Sequence, residues 1–556
     1  MKRWIIALLC VLSLIPFPSV LAQEQTVTVE KEALLSGLYE ADISSIQQAL
    51  TLGLITSQEL TEYYLGRIED YNAPYNCFIT LCDNALEIAM EKDEQRAQGK
   101  AEGALFGIPI VVKDNMNYIG FHTTNGYKKK ASQIAKSNAD VVQSFVDAGA
   151  IIIGKTNMST AAQDALCSRS EVAGETKNAY NPTMASGGSS GGSAVAASLN
   201  FATAALGTDT NSSLRIPAAL NGCISLRPTF GLLSNQGIKR LNSTRDTAGA
   251  ITRTVYDQAL MLDVLTGGTY HYAENLNANI LRGLRIGILE ELTYPTAKEK
   301  KRTENNIDSE VSQAFALAVK TLEQQGAEVV KVSIPNLFTL SQRTFASGEA
   351  RYKEALYDAF LKALEEANVS CLIYPSYLTA PIRSGKDENG KSWNASAQVN
   401  INNCRTLSPS ASLPEISVPI GVHSRGAGMG MEIAAPKNCE QLLLDVAYAF
   451  TANYQSRTAP EGAPDSYAQY HQGSLQTVID DYLYRLEQSQ TVATEPTETT
   501  VPQTSVATTE APQETPEENQ NAIVLYVALG TTGLLAVCVV ILLISQTRKR
   551  EKTYIE

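Results

Sequence analysis

The stretch Gly187-Gly188-Ser189-Ser190-Gly191-Gly192-Ser193-Ala194 decides how this chain is read. A glycine/serine run taken alone is equally well a flexible linker. Its neighbours argue otherwise. Ala194 to Leu199 continues it as a helix of small residues, and apolar α/β segments lie on both sides. Glycines at a helix start let the backbone approach a ligand and aim its N–H groups at negative charge. The run lacks the Lys-Ser/Thr ending of a P-loop, which disfavours phosphate as that ligand.

Downstream, an apolar strand (Ala202 to Leu206) leads into Gly207-Thr208-Asp209-Thr210-Asn211-Ser212-Ser213-Leu214-Arg215-Ile216-Pro217. Upstream, Ile108-Pro109-Ile110-Val111-Val112 reads as a short buried strand ending at Lys113-Asp114-Asn115. Polar side chains at strand ends are where open α/β sheets place their sites. The same alternation runs along the body of the chain. Thr56-Ser57-Gln58-Glu59 is a capping box, followed at helical spacing by Leu60, Tyr63, Tyr64, Arg67 and Ile68. Cys77 to Leu81, Ile151 to Ile153, Leu284 to Leu289 and Val329 to Val332 read as strands. Asp83 to Gln98, Asp140 to Ala148 and Asp308 to Gln325 read as helices. Short apolar strands alternating with amphipathic helices predict an α/β fold, a mixed β-sheet covered by helices on both faces.

These motifs together resemble the amidase signature family. Val112-Lys113-Asp114-Asn115, the run 187–193 and Ser213-Leu214-Arg215-Ile216-Pro217 carry the likeness, with 24 positions between Ser189 and Ser213. Gly154-Lys155-Thr156-Asn157-Met158, Leu226-Arg227-Pro228-Thr229, Arg253-Thr254-Val255-Tyr256-Asp257 and Ser417-Val418-Pro419-Ile420-Gly421 extend it over roughly residues 40–455. The resemblance implies a Ser–Ser–Lys triad: Ser213 as nucleophile, Ser189 as the bridging serine preceded by a cis peptide bond, and Lys113 as base. A serine hydroxyl is a poor nucleophile until a base removes its proton. Lysine can be that base only when neutral, so its ordinary pKa of about 10.4 must fall through burial away from carboxylates. No histidine is needed, and the chain has only four.

The resemblance also points to backbone N–H groups of residues 210–213, Thr210, Asn211, Ser212 and Ser213, as donors to a tetrahedral oxyanion. Here the chain departs from the family, since Asn211-Ser212 replaces the usual pair of glycines before the nucleophile. Asn tolerates a left-handed φ better than most residues, and Ser is small. Asp209 reads as a loop-stabilising acceptor and Arg215 as a residue that orients the loop. No cofactor and no metal are expected.

The ends read differently from the body. Met1-Lys2-Arg3, an apolar run from Trp4 to Pro16, and Val20-Leu21-Ala22 have the layout of a signal peptide over 1–22. The body expected to carry the amidase fold is 23–490. Residues 491–520, rich in Thr, Pro and Glu, read as a disordered stalk. The apolar segment 521–545 reads as a single transmembrane helix, and 546–556 as a basic cytoplasmic tail. This layout predicts a cell-membrane protein with an extracellular catalytic domain.

The net charge of −13 disfavours nucleic acid as a partner. A small-molecule amide is the expected substrate. Glycosylation sequons at Asn211-Ser212-Ser213 and Asn157-Met158-Ser159, inside the site motifs, favour a bacterial source. Cys77 and Cys82 read either as a disulfide or as free thiols. The functional expectation is an extracellular, membrane-anchored amidase that hydrolyses linear amides through a Ser213 acyl-enzyme. The alternatives are a catalytically impaired binding protein on the same fold and a transamidase-type subunit.

Overall fold

The computed structural model describes residues 28–294, 307–347, 350–385, 402–454, 457–471 and 473–492. Within them the strands are β1 (Phe78–Leu81), β2 (Pro109–Lys113), β3 (Ile151–Thr156), the short pair β4 (Arg169–Ser170) and β5 (Gly174–Glu175), β6 (Ala204–Asp209), β7 (Ile224–Arg227), β8 (Thr247–Thr252), β9 (Arg285–Leu289), β10 (Glu328–Val332), β11 (Cys371–Pro375), β12 (Glu415–His423) and β13 (Ala427–Ala434). All but β4 and β5 form one mixed sheet in the order β1-β3-β2-β6-β8-β7-β12-β13-β11-β9-β10. β2 runs parallel to both β3 and β6, whereas β6 is antiparallel to β8.

Side-chain alternation along β11 shows that both faces of the sheet are covered. Cys371 and Ile373 belong to one apolar core, with helical residues Val311, Phe315 and Leu443. Leu372 and Tyr374 belong to another, with helical residues Leu356 and Phe360. Successive residues of a strand point to opposite faces, so each face is packed by helices. The capping box also forms. The Glu59 N–H donates to Thr56 Oγ1 at 3.0 Å and the Thr56 N–H donates to Glu59 Oε2 at 3.1 Å, opening the helix Ser57–Tyr71.

The Gly/Ser run is no linker: residues 184–200 are buried throughout. A Cβ on Gly188 would lie 2.4 Å from the Asp164 carbonyl oxygen, and one on Gly192 would lie 2.3 Å from that of Asn157. Glycine is there because backbone meets backbone. The helix Gly191–Ser198 then packs against β2 and β6 as an all-buried element.

One expectation needs correction here. The fold is α/β as read, but the added C-terminal transmembrane helix is not supported. A span needs about 20 consecutive apolar residues, and no helix among the described residues is long and apolar enough to cross a membrane. The two 18-residue helices, Ala350–Ala367 and Leu475–Val492, are punctuated by charge, with Arg351, Glu354, Asp358 and Lys362 in the first and Asp480, Asp481 and Arg485 in the second. The expected signal peptide (1–22), the stalk from residue 493 onward, the segment 521–545 and the tail 546–556 lie outside the described residues. The cysteine question is also answered, because all seven described cysteines, Cys77 and Cys82 among them, are free.

Candidate active site

β2 is buried along its whole length, and its last residue is Lys113. The strand therefore carries an amine into the interior. There Lys113 Nζ lies 2.7 Å from Ser189 Oγ, 2.9 Å from Ser190 Oγ and 2.9 Å from Thr208 Oγ1. Burial lowers the Lys113 pKa from 10.5 to about 7, against the opposing pull of Asp209 and Asp246. All three neighbours are hydroxyls, which accept from an ammonium and donate to a neutral amine equally well. The Gly188–Ser189 peptide is cis, as the resemblance implies.

β6 ends at Asp209, and the loop that follows carries Ser213 to the same place. The Ser190 N–H donates to the Ser213 carbonyl at 3.3 Å. Ser213 is 5% exposed, so its side chain lies at the edge of the buried nest. Among the described residues its hydroxyl makes no hydrogen bond to Ser189. Apo geometry of this kind commonly tightens only when substrate binds. No acceptor among the described residues takes the N–H groups of Asn211, Ser212 or Ser213, which leaves them free to serve an oxyanion.

Neither Asn211 nor Ser212 adopts a positive φ, so replacing the glycine pair costs no left-handed strain. Both side chains are held. Ser212 Oγ accepts from Asn402 Nδ2 at 2.6 Å, Asn211 Oδ1 from the Arg245 guanidinium at 3.4 Å, and the Asn211 carbonyl from Arg215 at 3.1 Å. Thr210 Oγ1 donates to Asp246 at 2.6 Å.

Asp209 and Arg215 form the frame beneath the loop. Asp209 accepts from Arg215 Nε at 3.1 Å, from Arg227 at 3.0 Å and from the Leu214 N–H at 3.2 Å. Burial alone would raise the Asp209 carboxyl. Arg215 and Arg227 outweigh it and hold the group below the ordinary carboxylate range. Arg215 also donates to Glu415 and to the Cys404 carbonyl, and approaches Glu432 at 3.5 Å. Burial pushes Glu415 well above the usual range even beside Arg215, and Glu432 adds to the push. Cys404, Glu415 and Glu432 bring three possible metal-ligand atoms within 4.8 Å of one another. The Arg215 guanidinium already engages both carboxylates there, so the cluster reads as an ion-pair network.

The structure thus gathers Lys113, Ser189, Ser213, Asp209, Thr210, Asn211, Ser212 and Arg215 around one strand-end region. Sequence reasoning misses Ser190 and Thr208 as members of the lysine nest, although both lie in the motif stretches. It also misses Asn402 and Arg245, for which no local signal exists.

Comparison with known proteins agrees with this geometry. The family model described as Amidase matches residues 59–346. A glutamyl-tRNA(Gln) amidotransferase subunit from Thermosynechococcus vestitus is 30% identical over 471 residues, covering 71% of this chain and 94% of the relative. The subunit of the same name from Caldanaerobacter subterraneus is 28% identical, covering 76% and 98%. Among solved structures, the peptide amidase of Stenotrophomonas maltophilia superposes with a TM-score of 0.64 at 26% identity, covering 77% of this chain and 99% of that one.

These relatives overturn the extracellular, membrane-anchored amidase and its cell-membrane location. The substrate in the relatives' name is a charged tRNA, which gives no ground for an ectodomain, and no described helix could anchor one. They favour the transamidase-type alternative instead. The chain is an amidase-signature enzyme of the amide hydrolase or amidotransferase kind.

Proposed function

This chain belongs to the amidase signature family, and on that premise we propose that it breaks the C–N bond of a linear carboxylic amide through an acyl-enzyme on Ser213, as the amide-cleaving subunit of a transamidase. The observation that carries the chemistry is the Lys113 amine, buried and held at 2.7 Å from Ser189 Oγ in a nest of hydroxyls. Neutral Lys113 takes the Ser189 proton while Ser189 takes that of Ser213, and Ser213 Oγ attacks the carbonyl carbon. The N–H groups of residues 211–213 receive the developing oxyanion. Collapse breaks the C–N bond, and the proton returns through Ser189 to the departing nitrogen. Water then releases the acid, with the same relay acting as base.

The transfer role rests on the relatives' name. By that likeness the released nitrogen passes to a glutamyl-tRNA. An acidic chain is poorly suited to hold a polyanion, so a partner subunit would carry the RNA. A second reading, simple hydrolysis of linear amides to water, is favoured by the likeness to the peptide amidase.

The test is ammonia release from a panel of primary carboxamides by the full chain, beside Ser213→Ala and Lys113→Ala. Each substitution is expected to lower kcat/KM by about a thousandfold or more. Turnover retained by Ser213→Ala refutes the acyl-enzyme. Nitrogen transfer to glutamyl-tRNA on addition of a partner subunit separates the two readings.

A further inference from the structure

The loop before Ser213 is held by its carbonyls. That of Asn211 accepts from Arg215 at 3.1 Å, and that of Ser212 accepts from the Ile216 N–H at 3.0 Å. In a trans peptide the N–H points opposite to the carbonyl. Among the described residues only Gly188–Ser189 is cis, so both of these peptides are trans. The N–H groups of Ser212 and Ser213 therefore turn away from those donors, and neither has an acceptor among the described residues. The two peptides meet at the Ser212 Cα. Whatever fixes the φ and ψ of Ser212 fixes both donors at once.

Ser212 stands where the resemblance calls for a glycine, and a glycine offers no side chain to hold. Here the side chain is buried, and Asn402 Nδ2 donates to its Oγ at 2.6 Å. Asn402 is 2% exposed, and its side chain makes no other hydrogen bond among the described residues. Its segment is anchored independently of the loop. The Asn402 backbone bridges Tyr377, just past β11. Asn403 donates from its N–H to the Ser376 carbonyl at 3.0 Å and from Nδ2 to the carbonyls of Pro375 at 2.7 Å and Leu292 at 2.8 Å. The Cys404 carbonyl accepts from Arg215 at 2.8 Å, so the guanidinium that holds Asn211 is itself held by this segment. Residues 402–404 thus brace 211 and 212 from the end of β11, while the loop itself springs from β6.

We propose that Asn402 is a positioning residue for the oxyanion: through Ser212 Oγ it fixes the two peptides whose N–H groups receive the negative oxygen formed at Ser213. This deepens the amide-cleaving reading and rests on it. A serine hydroxyl both donates and accepts, so the contact holds in either orientation of the Asn402 amide. Donors aimed in advance need no reorientation as charge develops on the carbonyl oxygen. The flat carbonyl of bound substrate leans on them less than the tetrahedral oxyanion does. Loss of the contact should therefore fall on kcat rather than on KM.

The experiment is a double-mutant cycle of Asn402→Ala and Ser212→Ala in the full chain. It is read as ammonia release from the amide of the carboxamide panel that wild type cleaves fastest, and as the affinity of phenylboronic acid, which adds to a serine hydroxyl as a tetrahedral anion. Each single variant is expected to lower kcat by about tenfold to a hundredfold, with KM within about twofold. The double variant should lose no more than the worse single, because both remove one contact. Phenylboronic acid should bind each single variant about tenfold more weakly. A contact that serves folding alone would lower the unfolding temperature and leave kcat of the folded protein intact. Unchanged kcat in a folded single variant, losses that multiply in the double, or boronic acid affinity unchanged where kcat has fallen overturns the proposal. Ser212→Ala deletes one oxygen and carries the test where Asn402→Ala fails to fold. If wild type cleaves no amide of the panel, the amide-cleaving reading falls and the boronic acid decides alone. Weaker binding to the variants then upholds the positioning role, whereas equal binding, or none to wild type, ends it.

Discussion

The pH dependence of amide cleavage follows from the Lys113 nest. Lys113 acts as a base only when neutral, and burial brings its pKa from 10.5 down to about 7. Holding the amine neutral at that pH corresponds to about 5 kcal/mol at 1.36 kcal/mol per pH unit. The sign is fixed. Below pH 7 the amine is protonated and idle, so kcat/KM should rise with unit slope through about pH 7 and level off above it. Stability carries the same signature. Between pH 7 and 10.5 the unfolded chain binds a proton here that the folded chain does not, so this group's contribution to stability rises with pH across that window. Asp246 raises the Lys113 pKa through its charge, so Asp246→Asn should move the rate limb toward lower pH. The assay is initial-rate ammonia release from pH 5 to 10 in buffers of constant ionic strength. A limb centred near pH 10, or one displaced to higher pH by Asp246→Asn, refutes the neutral-lysine relay.

Thr208→Val removes an acceptor shared by Lys113 and Asn115 at nearly constant volume. It should cost about 1–2 kcal/mol in thermal unfolding and at least several-fold in kcat. Arg215→Met strips the counter-ion from Asp209, Glu415 and Glu432 together, and a loss of about 3–5 kcal/mol in denaturant unfolding is expected. Glu415→Gln keeps a hydrogen-bond acceptor for Arg215 and leaves that guanidinium paired with Asp209 and Glu432, so it should cost less than Arg215→Met in denaturant unfolding. A loss as large as that of Arg215→Met would show that the Glu415 contact alone holds the network together. Gly192→Ala drives a Cβ into the Asn157 carbonyl and should cost about 3 kcal/mol or more, whereas Gly66→Ala, in open space within the helix Ser57–Tyr71, should stabilise by about 0.5–1 kcal/mol.

Legibility in the sequence follows how local each signal is. β2 and β3 read directly because a strand buried on both faces is an unbroken apolar run. β12 does not announce itself as a strand. Pro419 and Gly421 interrupt it, and the ladder shifts register between those two residues, so that the proline sits at the irregularity. β13, Ala-Gly-Met-Gly-Met-Glu-Ile-Ala, buries even its glutamate, and its pattern matches neither period. In the site, Lys113, Ser189 and Ser213 are singled out by the family resemblance that their motifs carry. Thr208 is one hydroxyl among many, and only the strand pairing turns it toward Lys113. Asn402 and Arg245 reach the loop from segments far along the chain, and no spacing rule connects them to it. The anchored ectodomain rests on the hydropathy of the two ends, and nothing in the folded body supports it.

A comparison inside the molecule argues for Lys113 rather than its neighbour as the base. Lys155 is equally buried, on the adjacent strand β3, and burial lowers its pKa to about 8 against the pull of Asp114. Its close partners are the carbonyls of Met116 at 2.7 Å and His122 at 2.9 Å, with the Thr123 hydroxyl farther off at 3.4 Å and Asp114 at 3.8 Å. A carbonyl or a carboxylate can only accept. Around Lys155 the two close partners can only accept, so most of its hydrogen bonding is lost with a proton, which favours the protonated amine and ties the 116–123 loop to the sheet. Around Lys113 the acceptors are hydroxyls. When its proton leaves, a hydroxyl can turn and donate to the freed lone pair, so the number of hydrogen bonds is preserved in both states. Burial to the same depth thus suits one amine to a structural cation and the other to a reversible base. The difference lies in the second partner atom, not in the lysine. Replacing Ser190 or Thr208 by a residue that only accepts should therefore convert Lys113 toward the behaviour of Lys155, with a higher pKa and a rate limb moved toward higher pH.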